Sequence, residues 1–526
     1  MEDHPRPQLH VPASGLLSGP PADAIEVREP DTGLLVDRVP VLGEEEVRGM
    51  VGRARAAGGP WSDLPFRTRA AHLKRLRQLV VERADEIAET VSRETGKPPI
   101  DVYVQEILVT CDHLGWTARA APRVLAYRRR GPPLLGTHRR RVRWEPYGVA
   151  GIITPWNFPF VIPATAAASA LAAGNAVVLK PSELTPGPAR LLADLAAEAL
   201  PDPDLVLVAT GDGRTGRALV DAPVDVLSFT GSVATGRTVM EGAARHLTPP
   251  ILELGGKDAM IVLEDADLAS AARAAVWGAF FHAGQVCQSV ERVFVHRSRH
   301  DELVRLVLEE TSRLRVGRRD SGAPIGALTR PEQLELIEAH VRDARERGAR
   351  VLLGGEPSDE GGRFYPPTVL SDVTPDMRIM REETFGPVLP VAAFDDEDEA
   401  VRLANATPYG LDAYVWTEDR ARGWALGRRL RAGSVMVNDC VTNYGLADLP
   451  FGGVKESGLG RIHGEEGLRS FAYPVAEAEP RLRLPRQPWW FPPADRARWV
   501  KAWLHLRHGA GLADRVTGAL QALRGN

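Results

Sequence analysis

At 526 residues the chain is too long for one compact domain and predicts two or three. Its 44% hydrophobic and 25% charged residues are those of a soluble globular protein, and a net charge of −4 gives no sign of a nucleic-acid binder. Three cysteines, Cys111, Cys287 and Cys440, are too few for a disulfide framework, so a reducing compartment, the cytoplasm, is expected. In chain order, residues 1–24 are Pro-rich without the apolar core of a signal peptide and read as a disordered N-terminus. Glu44 to Thr95 reads as helices, with Ala71, Leu73, Leu76, Leu79 and Val80 at helical spacing. Another helix is predicted over Ile100 to Ala120. Arg128–Arg130 and Arg139–Arg141 then bracket Gly131-Pro132-Pro133, the pattern of two polar strands around a turn. This cluster reads as a solvated hairpin supporting an oligomer, with an anion site as the alternative.

From Gly148 the pattern changes. Short apolar runs at Val149–Ile153, Ala176–Leu179, Leu205–Val208 and Val224–Phe229 are separated by Ala-rich helical segments. Buried strands alternating with helices predict a parallel, doubly wound sheet. Ligands in such sheets sit beyond the carboxyl ends of the strands, and Thr154–Asn157, Lys180–Glu183, Gly211–Gly213 and Gly231–Gly236 all follow strand ends. A second α/β region begins after Glu253, with strand candidates at Met260–Leu263, Val293–His296, Val388–Val391 and Ser434–Val437. No run of eighteen apolar residues exists. Ala164–Ala173, bounded by Pro163 and Gly174, suits a buried helix.

The most informative stretch is Phe281-His282-Ala283-Gly284-Gln285-Val286-Cys287. Upstream lie Glu253-Leu254-Gly255-Gly256-Lys257 and Thr154-Pro155-Trp156-Asn157-Phe158-Pro159. A thiol, a carboxylate and a side-chain amide suffice for covalent oxidation of a carbonyl: the thiolate attacks, the amide holds the oxyanion, the carboxylate activates water. Taken singly, Cys287 could be packing, Asn157 a turn residue and Glu253 a surface acid.

These segments, with Lys180–Glu183, Phe229–Ser232, Glu382–Val388 and Pro450–Gly453, resemble the aldehyde dehydrogenase superfamily over residues 25 to 476. The resemblance implies an α/β fold with a Rossmann-type cofactor domain, an α/β catalytic domain and small oligomerisation strands. The expected boundaries are 25–124 with 145–252 for the NAD(P)-binding domain and 253–441 for the catalytic domain. Residues 125–144 with 442–480 would be oligomerisation elements, the strand near Phe471 to Glu479 crossing a subunit interface in a homodimer or homotetramer. The implied catalytic residues are Cys287, Glu253 and Asn157. The implied cofactor residues are Ile153, Thr154, Pro155, Trp156, Lys180, Ser182, Glu183, Gly211, Gly213, Phe229, Thr230, Gly231, Ser232, Gly236, Leu254, Gly255, Glu383 and Phe385. A carboxylate at Glu183 would repel a 2′-phosphate, so NAD is expected, with NADP the alternative. No metal site is expected. Glu253 favours hydrolysis to a free acid over transfer to coenzyme A, because acylating relatives generally lack this base.

Phe158, Ile162, Thr165, Phe281, Val286, Gln288 and Phe451 match the substrate tunnel of relatives, and their mostly apolar character suits an aliphatic or aromatic aldehyde. The chain looks most like bacterial succinate-semialdehyde or broad-range members. It departs from them at His282, where many carry Asn, and at Phe281, where well-known succinate-semialdehyde enzymes carry Arg. It also continues past residue 480. Residues 481–526 form a basic extension with a partly helical apolar stripe of Trp499, Trp503, Leu506, Leu512, Val516, Leu520 and Leu523, interrupted by Gly509 and Gly511. Packing on the chain or a neighbouring subunit is the expectation, with weak membrane contact the alternative.

Overall fold

The computed structural model describes residues 23–129, 138–358, 363–481, 490–491 and 497–523. Most of the expected N-terminal segment, the turn at Gly131-Pro132-Pro133 and parts of the extension lie outside the described residues. These residues form two compact units: one of the segment up to Ala126 with Arg143–Val475, the other of Tyr127–Val142 with the chain from Ala476.

Among the described residues the first unit holds a small antiparallel pair, Ala24–Arg28 with Leu35–Pro40, and two larger sheets, the first and the second, each with its own hydrophobic core. Among the described residues the first sheet has six strands in the order Gly458–Leu459, Pro250–Glu253, Val226–Thr230, Val149–Ile153, Ala176–Lys180, Val206–Val208. All pair in parallel except Gly458–Leu459, which runs antiparallel to Pro250–Glu253. Val149–Ile153 and Ala176–Lys180 are buried throughout, which is why they read as continuous apolar runs. The predicted buried helix is Val161–Ala173, inaccessible at every position and stopped by Gly174 at φ 109°. Phe451, Ile462, Leu468, Phe471 and Ala472, expected among the oligomerisation elements, belong to the first core.

The helix Phe66–Glu82 buries Ala70, Leu73, Leu76, Leu79 and Val80. Ala71, expected inside, is exposed, because the buried face enters one residue earlier. The helix predicted over Ile100 to Ala120 is three pieces: Pro99–Asp101, a π-helical stretch Val102–Leu108, and Val109–Val124. Single π turns inside α-helices often re-aim a side chain at a functional place. Here Glu106 lies in that stretch, fully buried.

The second sheet has seven described strands in the order Arg350–Leu353, Thr368–Ser371, Val388–Phe394, Val290–His296, Asp258–Val262, Asp412–Trp416, Ser434–Val437. Only the edge strand Arg350–Leu353 is antiparallel to its neighbour. Glu253 closes a strand of the first sheet and Asp258 opens one of the second, so Leu254–Lys257 crosses from one core to the other.

In the second unit Arg128–Arg129 pairs antiparallel with the strand His138–Pro146, with Arg128 opposite Val142 and Arg129 opposite Arg141. The strand Ala472–Pro480 lies on the other side of His138–Pro146. Arg139 and Arg141 form ion pairs with Glu479 and Glu477. The arginine cluster is therefore at least partly neutralised by a neighbouring strand. The extension contains the helices Ala497–His508 and Leu512–Leu523, broken where the two glycines were noted. No described helix is long and apolar enough to cross a membrane.

Candidate active site

The segment before Cys287 is a tight turn built from three consecutive left-handed residues, His282 (φ 49°), Ala283 (φ 54°) and Gly284 (φ 71°). A Cβ on Gly284 would stand 2.3 Å from the Gly386 carbonyl oxygen, so only glycine fits there. Gln285 anchors the turn. Its Nε2 donates to the His282 carbonyl at 3.1 Å and its Oε1 accepts from Thr329 N at 2.9 Å. Asn157 Nδ2 donates to the Gln285 carbonyl at 3.0 Å, which brings the amide to the thiol's loop and leaves its second N–H for another acceptor.

The Asn157 loop is held from behind by Glu106. Its Oε2 accepts from Phe160 N and Val161 N at 2.9 and 3.0 Å, satisfying free donors at the start of Val161–Ala173, and its Oε1 pairs with the buried Lys97. No local pattern signals this, because Glu106 reads as one more polar position on an amphipathic helix.

Cys287 is half-buried, and its carbonyl oxygen lies where a Cβ on Gly256 would approach to 2.5 Å. Glu253, three residues before Gly256, is buried, and neither carboxylate oxygen has a hydrogen-bond partner among the described residues. Gly452 (φ 146°) makes room for it, since a Cβ there would sit 2.5 Å from Glu253 Oε1. Burial pushes the Glu253 carboxyl well above the ordinary range, with Arg461 pulling it back down. The Cys287 thiol is also pushed well up, first by burial and then by the acids Asp412, Asp258, Glu383 and Glu253. In the resting pocket both groups are therefore favoured in their neutral forms.

The cofactor candidates gather at the carboxyl ends of the first sheet. Ile153 ends one strand, and the following Thr154 N donates to the Lys180 carbonyl at 3.0 Å. Lys180 is buried, with its ammonium 3.4 Å from Glu183, and Ser182 Oγ lies 3.5 Å from the same carboxylate. Phe229 and Thr230 finish the next strand, and a Cβ on Gly231 would collide with the Phe229 ring at 2.6 Å. Ser232 caps the helix Val233–His246 by accepting from Thr235 N, and Gly236 packs against Leu254. Gly211 and Gly213 flank Asp212, which caps a different helix, Gly213–Asp221. Across the cleft Glu383 Oε1 accepts from Gly256 N at 2.9 Å and crowds Gly255, while burial, and then Glu291, raise its carboxyl to about 8. Trp156, after Pro155, meets the Phe385 ring edge-on at 5.5 Å.

These residues fit a dinucleotide. Thr154 Oγ1 is buried without a described partner, and the helix Val233–His246 begins just beyond Gly231, with its first N–H groups available for a phosphate.

The substrate candidates divide. Phe158 packs against the second core and meets His282 edge-on at 5.6 Å, Ile162 is buried on the following helix, and Thr165 Oγ1 is 3.4 Å from the Tyr444 hydroxyl. Tyr444 also packs on Phe451 at 5.0 Å. Phe281 and Val286 are buried in the same second core, Phe281 stacked on Trp277. The Gln288 amide donates to Asn443 Oδ1 and the Val441 carbonyl, so it has partners inside the protein. Tyr444 was missed because its neighbourhood is built from segments distant in sequence.

The Aldehyde dehydrogenase family model matches residues 18–475. The chain belongs to the aldehyde dehydrogenase family. It is therefore an oxidoreductase of the class that oxidises aldehydes with NAD(P). A 4,4′-diapolycopene aldehyde oxidase of Methylomonas sp is 42% identical over 88% of this chain and 87% of its own. A protein of Mycolicibacterium smegmatis with a provisional succinate-semialdehyde dehydrogenase [NADP(+)] name is 38% identical over 87% of this chain and 89% of its own. The crystal structure of an NAD-dependent aldehyde dehydrogenase from Sinorhizobium meliloti superposes with a TM-score of 0.86 at 38% identity, covering 90% of this chain and 95% of that one.

A further group missed from the sequence lies behind Glu383. Glu291 accepts from Thr384 N at 2.8 Å and Phe385 N at 2.9 Å and pairs with the buried Lys257. It holds Phe385 at φ 51°, a conformation an aromatic residue rarely takes unaided. This family member thus positions Glu383 and Phe385 through a second, fully partnered carboxylate.

Proposed function

We propose that this family member oxidises an aldehyde with an extended apolar chain to its carboxylic acid, with Cys287 as nucleophile, Asn157 as oxyanion donor and Glu253 as general base. The observation supporting the reading is Glu253: a buried carboxylate without a described partner is costly, and it lies three residues before Gly256, which abuts the Cys287 carbonyl. Cys287 gives up its proton to solvent, and the thiolate attacks the carbonyl carbon, forming a hemithioacetal. The free N–H of Asn157 and the Cys287 backbone N–H stabilise the oxyanion, each such donor being worth about 2.7–4 kcal/mol. Bound NAD(P), held by Thr154, Lys180, Glu183, Ser232 and Glu383, supplies the hydride acceptor. With the hydride gone, Cys287 holds the acyl group as a thioester. Glu253 takes a proton from water, whose oxygen attacks the thioester carbonyl and releases acid and thiol.

The apolar character of Phe158, Ile162 and Phe451 supports the substrate class, as does the relative named for 4,4′-diapolycopene aldehyde. Glu183 beside Lys180 supports NAD over NADP, since the carboxylate would repel a 2′-phosphate. Unpaired cysteines support a cytoplasmic setting, and the sheet containing Ala472–Pro480 supports a homodimer or homotetramer. The test is an absorbance assay at equal concentrations of short, long-chain and dicarboxylic semialdehydes, with NAD or NADP and with or without coenzyme A. The long apolar aldehyde should give the highest kcat/KM with NAD and no need of coenzyme A. A preference for succinate semialdehyde, or turnover only with coenzyme A, would overturn the reading.

A further inference from the structure

The C-terminal helices Ala497–His508 and Leu512–Leu523 pack against each other through small residues. Ala502 is 1% exposed, and a Cβ on Gly518 would approach Leu506 N to 2.4 Å, so glycine is what lets the helices close. Polar contacts complete the hairpin: His505 Nδ1 lies 2.8 Å from Asp514 Oδ1, and Arg515 Nε donates to the Gly509 carbonyl at 3.1 Å. Most of the large apolar side chains face the other way, Trp503 and Leu506 being half-buried. Trp499, Val500 and Leu504 on the first helix, and Leu512, Val516 and Leu520 on the second, are exposed, Leu512 by 80%. A hairpin stabilised by water exclusion does the reverse, placing its large residues inside.

Charge shows what this face suits. Residues 481–526 carry nine Arg and Lys against two Asp, a net charge of +7 in a chain whose total is −4. Lys501 and Arg515 border the exposed stripe, and the acid within the helices, Asp514, already pairs with His505. Exposed Trp and Leu flanked by Lys and Arg complement a surface that is anionic outside and apolar beneath.

We propose that the hairpin of residues 497–523 is a docking face for an anionic lipid bilayer: the apolar side chains enter the headgroup boundary, and Arg498, Lys501 and Arg515 meet lipid phosphates. The helices lie on the surface rather than span it, in keeping with their twelve-residue lengths. The proposal is independent of the catalytic assignment, since vesicles report the hairpin and a short soluble aldehyde reports the active site.

The full chain should float with phosphatidylglycerol–phosphatidylcholine vesicles at low salt, less with phosphatidylcholine alone, and progressively less as salt screens the charges. Arg498→Gln with Lys501→Gln should weaken partitioning about 30-fold, the effect of two basic groups near such a surface. Trp499→Ser with Leu504→Ser and Val516→Ser should abolish flotation. Both variants should keep the parent rate on the short aldehyde, which shows that they fold. No flotation of the parent, or flotation insensitive to both sets, overturns the proposal. Variants that lower the oligomer mass in light scattering while vesicle binding is unchanged also overturn it, and assign the face to a second copy of the chain.

Discussion

On the second-core side of the cleft Glu291 accepts two backbone N–H donors and pairs with Lys257. On the first-core side Glu253 is buried to a similar degree with neither oxygen partnered. A carboxylate satisfied by three donors is a brace: it fixes the Thr384–Phe385 turn and has no capacity left for chemistry. A buried carboxyl with nothing to accept from lowers stability, and it persists where a water or a substrate can become its partner. The same fold thus uses one residue type for positioning and, in our reading, for proton transfer, and local donors decide which.

The sharpest way to break this contrast is to remove the groups proposed to react. Cys287→Ala should abolish NADH production, and any turnover above background would end the covalent mechanism. Glu253→Gln should lower steady-state turnover by about 10²–10⁴-fold while an acyl adduct accumulates on Cys287, read by intact-protein mass spectrometry. The same substitution should not lower the denaturation midpoint, because it removes no native hydrogen bond. Glu291→Gln should do the opposite: about 3–5 kcal/mol of stability lost, since Lys257 is left buried without its counter-charge. Equal effects of the two substitutions on stability would erase the distinction. Asn157→Ala should lower kcat by about 10²–10³-fold with little change in KM.

The smallest effects are in pH. Only ionised Glu253 takes a proton from water, and its carboxyl is raised by burial, so thioester hydrolysis should speed up as pH climbs through and beyond the ordinary carboxylate range. A pre-steady-state hydrolysis rate that does not rise as pH climbs above the ordinary carboxylate range would argue for another base. Glu383 behaves alike in stability. Its folded carboxyl is raised to about 8 by burial and then by Glu291, so between about 4.5 and 8 the folded state holds a proton the unfolded state has lost. Its contribution is full below the unfolded value and is lost as pH rises through that window. Glu383→Gln should flatten the decline, measured as the denaturant midpoint against pH.

Much of the first sheet was legible because strands buried on both faces must be continuous apolar runs. Val149–Ile153 and Ala176–Lys180 leave little other choice. The helix after Phe66 was legible except at Ala71, where alanine's small side chain carries little signal about which face is inside. Glu291 escaped notice because a strand with one acid is unremarkable until Lys257 is placed across from it. Gly458 opposite Glu253 was equally hidden, a pairing between residues more than two hundred positions apart. In the extension the glycine break was readable, but the apolar stripe alone suggested packing. Only the partner helix shows that the small residues are inside and most of the large ones out.

The sequence by itself determined the family and the parallel first sheet, located four of the seven described strands of the second, and nominated three residues for the chemistry, because periodicity and short motifs are local properties of the chain. Tertiary structure decided which carboxylates are braced and which stand alone, how Glu106 and Gln285 hold the two reactive loops, and which face of the tail meets solvent. Those outcomes depend on hydrogen-bond partners and burial supplied by distant segments, and no local pattern encodes where such segments will meet.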